Sequence, residues 1–327
     1  MRGLSGKIPR FPTKDLNGKP PKSRLMREVE LSCPYTIPYK RIYAVCDSNN
    51  ENAEIVEHTN CYGGAAWARY HYSNSPLVQE SRAVGDMIRY LVKTGTSDLE
   101  LQPSTAAAGI ESVIVDGDQV RITYAGLGGG GVGATECRAV ADGVVCYDIT
   151  ESGGGKAAKG TIVVPRRERV LIGIDDTDTK EEGATWSLTH NIATFLDCKE
   201  SAYLSHSLVQ LFPVSAKTQN CVSTVLEFGC VNSQAKNKLL NEIKAALLKY
   251  SVSEETGMVV LSDFDAKAVS EYSSMCRKGE LTKEFAMQYA EEHEVEIWLD
   301  GNGVIGALAA LPWFARPDES IKLDAEL

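Results

Sequence analysis

No apolar run in this 327-residue chain approaches the roughly 18 consecutive residues that a membrane-spanning helix requires, so no membrane partner is expected. The opening residues, Met-Arg-Gly-Leu-Ser-Gly-Lys-Ile-Pro, carry charge but lack the apolar stretch of a secretory signal peptide. Basic charge is in deficit: 34 Lys and Arg against 44 Asp and Glu leave a net charge of -10. Phosphate backbones are bound by clustered Lys and Arg, so this balance speaks for an acidic, soluble protein and against a general nucleic-acid surface. No Cys-x-x-Cys occurs among the nine cysteines (33, 46, 61, 137, 146, 198, 221, 230 and 276), and the five histidines (58, 71, 190, 206 and 293) form no His-x-x-x-His pair. A zinc ribbon is therefore not expected. Scattered cysteines without an export signal point to a reduced, cytoplasmic protein whose thiols are mostly small buried groups.

What the chain does have is a concentrated acidic turn. In Arg169–Gly183 the apolar run Val170–Ile174 reads as a buried strand that stops in Asp175, Asp176 and Asp178. Carboxylates massed at a strand end repel one another and are costly to desolvate. Magnesium relieves both problems, and it commonly bridges one or two carboxylates to the phosphates of a substrate. Open α/β sheets also place ligands at the carboxyl ends of their strands. The plainer alternative is an acidic surface turn.

Around this stretch the length favours two domains. Residues 1–33 read as a mobile basic arm, and 34–165 as a glycine-rich α+β domain. Pro165–Glu168 reads as a linker, and 166–327 as an α/β domain. Strands are expected at Arg41–Cys46 and after Gly63-Gly64, and a helix at Ser81–Lys93. A hairpin is expected about Asp116–Gln119, and a strand within Arg138–Tyr147. Two glycine-rich segments, Gly126–Gly133 and Glu151–Lys156, could cradle an anion on backbone N–H groups, with Gly128, Gly129, Gly130, Gly131 and Lys156 nearest a phosphate; the alternative is a flexible loop. Neither has the Lys-Ser/Thr ending of a P-loop. Helices are expected at Trp186–Leu196, Val231–Tyr250, Ala266–Met275 and Thr282–Glu292. Gly183 and Thr185 then lie at a helix start, where N–H groups and dipole favour anions. Asp263 and Asp265 read as helix caps. The small-residue run Val304–Leu311 reads as close helix packing.

Three stretches resemble the catalytic part of archaeal agmatidine synthetase, an enzyme that uses ATP to attach agmatine to a tRNA cytidine. Gly173–Asp178 is similar to its Gly-Ile-Asp-Asp-Thr-Asp-Ser signature. Pro213 through Lys217, Thr218 and Asn220 is similar to its Pro…Lys-Thr-x-Gly-Asn loop, one residue shorter. Val304–Ala310 is similar to its Ile-Gly-Ala-Leu-Ala-Ala segment. Over residues 36–314 the chain resembles methanogenesis marker protein 11 still more closely. That second likeness rests on Tyr124–Gly133, Glu151–Lys156, Val164–Arg169 and Asp175–Ser187.

The resemblance implies a kinase-like nucleotide site. Asp175, Asp176 and Asp178 would hold magnesium, with Asp176 and Lys217 catalytic. Gly183, Thr185, Lys217, Thr218 and Asn220 would stand around ATP. The acceptor is an unknown small molecule or protein. The setting that the family suggests is a complex of methane metabolism, in cofactor or methyl-coenzyme M reductase maturation. Acidic charge and the missing zinc ribbon speak against tRNA. A nucleotide-binding assembly protein with little turnover is the alternative expectation.

Overall fold

The computed structural model describes residues 30–215, 217–218 and 220–327. The basic arm expected over 1–33 lies outside the described residues as far as residue 29. Met1–Tyr35 and Thr36–Leu327 are separate units. Among the described residues, every strand and helix belongs to the second.

In chain order its elements are β1 (Arg41–Cys46), β2 (Asn52–His58), α1 (Tyr62–Tyr72), β3 (Val78–Val84), β4 (Met87–Lys93), β5 (Gly95–Thr96), β6 (Ala108–Asp116) and β7 (Gln119–Leu127). Then come α2 (Gly129–Ala134), α3 (Glu136–Ala139), β8 (Cys146–Ile149), β9 (Ala157–Asp175), α4 (Thr185–Leu196), β10 (Ser201–Gln210), β11 (Val222–Cys230) and α5 (Ser233–Tyr250). β12 (Gly257–Leu261), α6 (Ser270–Lys278), α7 (Lys283–Glu292), β13 (Glu296–Asp300) and α8 (Val304–Ala310) complete it.

Among the described residues thirteen strands join one curled mixed sheet, and the 19-residue β9 is its spine. Residues 157–165 of β9 pair antiparallel with β7. Residues 166 and 167 pair parallel with β1. Residues 168–175 lie between β11 and β12, antiparallel to both. Side chains alternate across a strand, so Val170, Ile172 and Ile174 pack under α4 and α5. Leu171 faces the other way, into the core built with α6, α7 and α8. A third cluster fills the N-terminal strands, from Ile42 and Ile55 to Tyr124 and Ile162. Burial of each large aliphatic side chain contributes roughly 1.5–3 kcal/mol.

Several expectations need correction. Pro165–Glu168 is not a linker but part of β9. Its charges suggested a solvated segment, yet Arg167 is buried and donates to the Gly229 and Lys199 carbonyls, at 2.8 Å each. The boundary expected at 165/166 thus falls inside one strand. Ser81–Lys93 is not a helix but most of the hairpin β3–β4, turning at Gly85 with φ +61°. Ile88, Tyr90 and Val92 are its fully buried residues, with strand period 2. After Gly63-Gly64 the chain is helical rather than extended: Ala65, Ala68, His71 and Tyr72 are buried at helical spacing. Cys61 Sγ caps that helix by accepting from the Gly64 N–H at 3.3 Å. Within Arg138–Tyr147 only the final residues belong to a strand. The hairpin about Asp116–Gln119 forms as expected. So do the helices at Trp186–Leu196, Val231–Tyr250 and Thr282–Glu292, within two residues at each end.

Two half-buried histidines make the fold acid-sensitive. His58 and His206 each have Nε2 buried without a hydrogen-bond partner among the described residues. Burial pushes both down to about 4, aided by the Arg89 charge at His58 and by His190 at His206. Unfolded histidine titrates near 6.5. The stability from keeping these rings neutral is therefore complete above about pH 6.5 and lost as pH falls toward 4. Between pH 7 and 5 each should remove on the order of 1 kcal/mol. Urea unfolding of wild type and His206→Gln at both pH values checks this; an unchanged pH dependence in the variant would rule out the His206 contribution.

Candidate functional site

β9 ends at Asp175 because the next residue, Asp176, takes φ +54°. Aspartate tolerates this left-handed conformation better than most residues. The Asp176 N–H donates to Asp175 Oδ1 at 2.9 Å, and its carbonyl accepts from Thr256 Oγ1 at 3.1 Å. Thr185 locks the turn. Its hydroxyl accepts from the Thr177 N–H at 3.1 Å and from Thr177 Oγ1 at 3.0 Å, and donates to Asp178 Oδ1 at 3.2 Å. One donor and two lone pairs are thereby all used. The Thr185 hydroxyl shapes the acidic turn and has no capacity left for a ligand.

Close backbone approach places α8 against the same strand end. A Cβ at Gly306 would stand 1.9 Å from Asp175 Oδ2, and one at Gly173 would stand 2.0 Å from the Ala307 carbonyl oxygen. The small residues of Val304–Ala310 thus serve packing, as expected, and press that packing onto a carboxylate.

The acidic turn, the start of α4, the loop between β10 and β11, and the loop before α7 enclose a cleft of about 750 Å³. This lies within the usual range of ligand pockets, about 300–1,000 Å³. Asp175, Asp176, Asp178, Gly183, Thr185, Lys217, Thr218 and Asn220 all line it. The N-cap of α4, Ala184, makes no side-chain bond to the helix, so N–H groups and the positive dipole end face the cleft. Burial, then the Asp176 charge, pushes the Asp175 carboxyl well above the usual carboxylate range. Burial, then Asp178 and Glu255, pushes Asp176 up to about 6. The turn is an electrostatic stress in want of a cation.

Among the described residues no group of three or more His, Cys, Asp or Glu is disposed to hold a metal ion. A ready-made cage of Asp175, Asp176 and Asp178 is therefore not what the structure presents. Asp175 Oδ2 lies against α8, and one Asp178 oxygen is held by Thr185. Such a donor set fits a cation that takes one or two carboxylate oxygens and completes its shell with phosphate oxygens and water.

Gly128–Gly131 and Lys156 are not brought to this cleft. A Cβ on Gly126 would lie 2.4 Å from the Gly130 carbonyl oxygen, and one on Gly131 would lie 3.0 Å from Ala158 Cβ. The run forms the short helix α2, packed tightly on β7 and β9, rather than an open cradle. Lys156 pairs with Glu151 at 2.6 Å. Asp263 and Asp265 accept from nearby backbone N–H groups, at 2.6 Å from Phe264 and 3.0 Å from Lys267, as local turn bonds; neither is the expected helix cap, since the N-caps that follow are Ala266 and Val269, without side-chain bonds. Sequence reasoning missed Trp186, Cys221, Cys276 and the Gly279–Lys283 loop as cleft residues. Their one local signal is the Thr282 cap, whose hydroxyl accepts from the Phe285 N–H at 3.2 Å.

Residues 171–299 match the TiaS TCKD domain. The chain is similar to a solved complex of TiaS with an isoleucine tRNA and ATP, with TM-score 0.41 and 20% identity over 44% of this chain and 36% of that one. It is likewise similar to apo TiaS, a tRNA agmatidine synthetase, with TM-score 0.38 and 19% identity over 44% of this chain and 35% of that one. The chain thus spans little more than a third of those structures. Net charge had spoken against tRNA; that expectation is overturned, since a protein with the matched domain holds tRNA beside ATP. The "Uncharacterized protein MJ0921" of Methanocaldococcus jannaschii is 42% identical over 284 residues, covering 84% of this chain and 94% of that relative. With identity of that level over nearly the whole of the relative, the chain belongs to the family of MJ0921.

Proposed function

We propose that the chain binds a magnesium nucleotide in the Asp175–Lys217 cleft and uses it for phosphoryl transfer or phosphate-activated ligation. One observation carries the reading: three aspartates, the open N-terminus of α4 and Lys217 converge on a single cleft. The TiaS TCKD match over 171–299 supports it, because the solved TiaS complex contains ATP; the distant likeness of the whole structures adds nothing. Asp176 and Asp178 would hold the cation, with Asp175 behind them. The first N–H groups of α4 and Lys217 would take phosphate oxygens, while Thr218 and Asn220 offer further polar contacts. The Thr185 hydroxyl positions the turn without touching the ligand. Magnesium, when bound, would neutralise charge between phosphate oxygens. The rest of the acceleration is positioning and fixed charge.

Residues 34–165 are proposed to select the acceptor and 166–327 to hold the nucleotide. RNA belongs among the acceptors to be tried, because the matched domain comes from a tRNA agmatidine synthetase. We also place the chain in the methanogenesis marker protein 11 family, acting in the cytoplasm on a component of methane metabolism. The relative from Methanocaldococcus jannaschii supports this.

ATP binding and hydrolysis by the pure protein, with and without magnesium, test the reading, using total archaeal tRNA or protein-containing cell extract as acceptor sources. Expected is magnesium-dependent binding and turnover stimulated at least about tenfold by one acceptor source. Absence of nucleotide binding would sink the proposal. Binding without turnover under any condition would replace it with a nucleotide-binding assembly role.

A further inference from the structure

We propose that a second cleft, distinct from the carboxylate site, binds a small organic anion whose carboxylate or phosphate head lies between Arg82 and Arg316 and whose apolar body lies on Phe264 and Phe314. The cleft measures about 380 Å³ and opens between the β3–β4 hairpin and the segment after α8. Arg169, which lines it, and Asp175 are six residues apart on one face of β9, about 20 Å at 3.3 Å per residue. The two clefts therefore lie at opposite ends of the face that α8 covers.

Arg89 and Arg169 form the floor and are fully engaged. Arg89 donates to Glu54 at 2.7 Å and to Glu227. Arg169 donates to Glu227 at 2.8 Å, to Glu54 and to the Phe264 carbonyl. That quartet of two arginines and two glutamates is neutral. At the rim the count is again two arginines, Arg82 and Arg316, and two glutamates, Glu80 and Glu319, but the distances are longer. Arg82 has a side chain only 20% exposed, yet its carboxylate neighbours, Glu319 and Glu80, stand at 3.5 and 3.7 Å. Charge-assisted bonds to a guanidinium run at about 2.7–2.9 Å. Glu319 is moreover shared, since Arg316 donates to its other oxygen at 3.1 Å. Glu80 has a side chain 57% exposed, and an ion pair that solvent reaches is weak.

Arg82 is thus a mostly desolvated fork of five donors, facing a cavity, without a short acceptor among the described residues. A carboxylate or phosphate fits it in geometry and charge. Phe264 and Phe314 supply the apolar wall, and the Phe314 ring already lies 4.6 Å under the Arg169 guanidinium. A ligand that is anionic at one end and flat and apolar at the other satisfies both.

Calorimetric titration of the full chain with phenyl phosphate and with benzoate tests this, with benzyl alcohol as the uncharged control. At least one anion should bind saturably with Kd of about 1 mM or tighter, and the stronger of the two identifies the preferred head. Arg82→Met should weaken binding by about tenfold or more, and Arg82→Lys by less, because the fork is lost while the charge stays. Arg316→Met, on a more exposed side chain, provides the same readout if Arg82→Met does not fold. Asp176→Asn should leave binding unchanged. No saturable binding of either anion, equal binding of benzyl alcohol, indifference to both arginine changes, or loss on Asp176→Asn would each overturn the proposal.

Discussion

Asp176→Asn is expected to lower magnesium-dependent ATP turnover by about 10²–10³-fold, the usual scale for removing one fixed charge-stabilising group, while raising thermal stability. The two effects come from the same carboxylate. Asp176 is half-buried beside Asp175, Asp178 and Glu255. Deleting its charge relieves repulsion that the apoprotein otherwise carries. The substitution is also conformationally neutral: asparagine accepts φ +54° as readily as aspartate. The bonds that shape the turn at this residue use its backbone N–H and carbonyl, not its side chain. Turnover and thermal unfolding of the same preparation check both halves. Turnover within about threefold of wild type would remove Asp176 from the reaction. A lower melting temperature would mean that the carboxylate serves the fold.

Whether an element was legible in the sequence followed how local its determinants are. Val170–Ile174 announced a strand buried on both faces because it is continuously apolar, and α5 announced its inner face through Leu239, Leu240, Ile243 and Leu247, all buried. The acidic turn and Gly183 stood next to each other in the chain and again in the cleft. The glycine run at 126–133 was ambiguous for a physical reason. A glycine that frees φ and one that lets a carbonyl approach look the same in sequence, and the neighbours of Gly131 and Gly160 here are Ala158 and Ala134. Arg167 fell in the expected linker because its partners come from β11 and a loop distant in sequence. Net charge misled about tRNA because it is a sum over the chain, while binding responds to local fields. The 279–283 wall of the cleft was legible only as the helix start at Thr282, since only the packing of α6 and α7 brings it to the aspartates.

Glu227→Ala should cost about 3–5 kcal/mol, the scale for breaking a buried ion pair from one side, against a total stability of roughly 5–15 kcal/mol for a domain. The Glu227 side chain is fully buried in β11. It accepts from Arg169 Nε at 2.8 Å, from Ser205 Oγ at 2.6 Å and from both terminal nitrogens of Arg89. Arg89 belongs to β4, so one carboxylate ties the N-terminal strands to β9 and β11. Removing it leaves two buried guanidinium groups with only Glu54 between them. If that imbalance is the cause, taking out one charge of each sign should cost less than the sum of its parts. The Arg89→Met, Glu227→Leu double variant retains Arg169 with Glu54 and should show a favourable coupling of about 1–3 kcal/mol. Acid should reveal the same carboxylate. Burial alone would raise its pKa, but the Arg89 and Arg169 charges and the bonds from Arg89 and Ser205 outweigh burial and hold it at about 2. Its contribution is complete above the unfolded value near 4.3 and is lost as pH falls toward 2. Wild type should therefore shed stability over that window in urea titrations, and Glu227→Ala should shed less. A single-variant cost below about 1 kcal/mol, or strict additivity in the double variant, would show that the tie between β4 and the spine does not rest on this carboxylate.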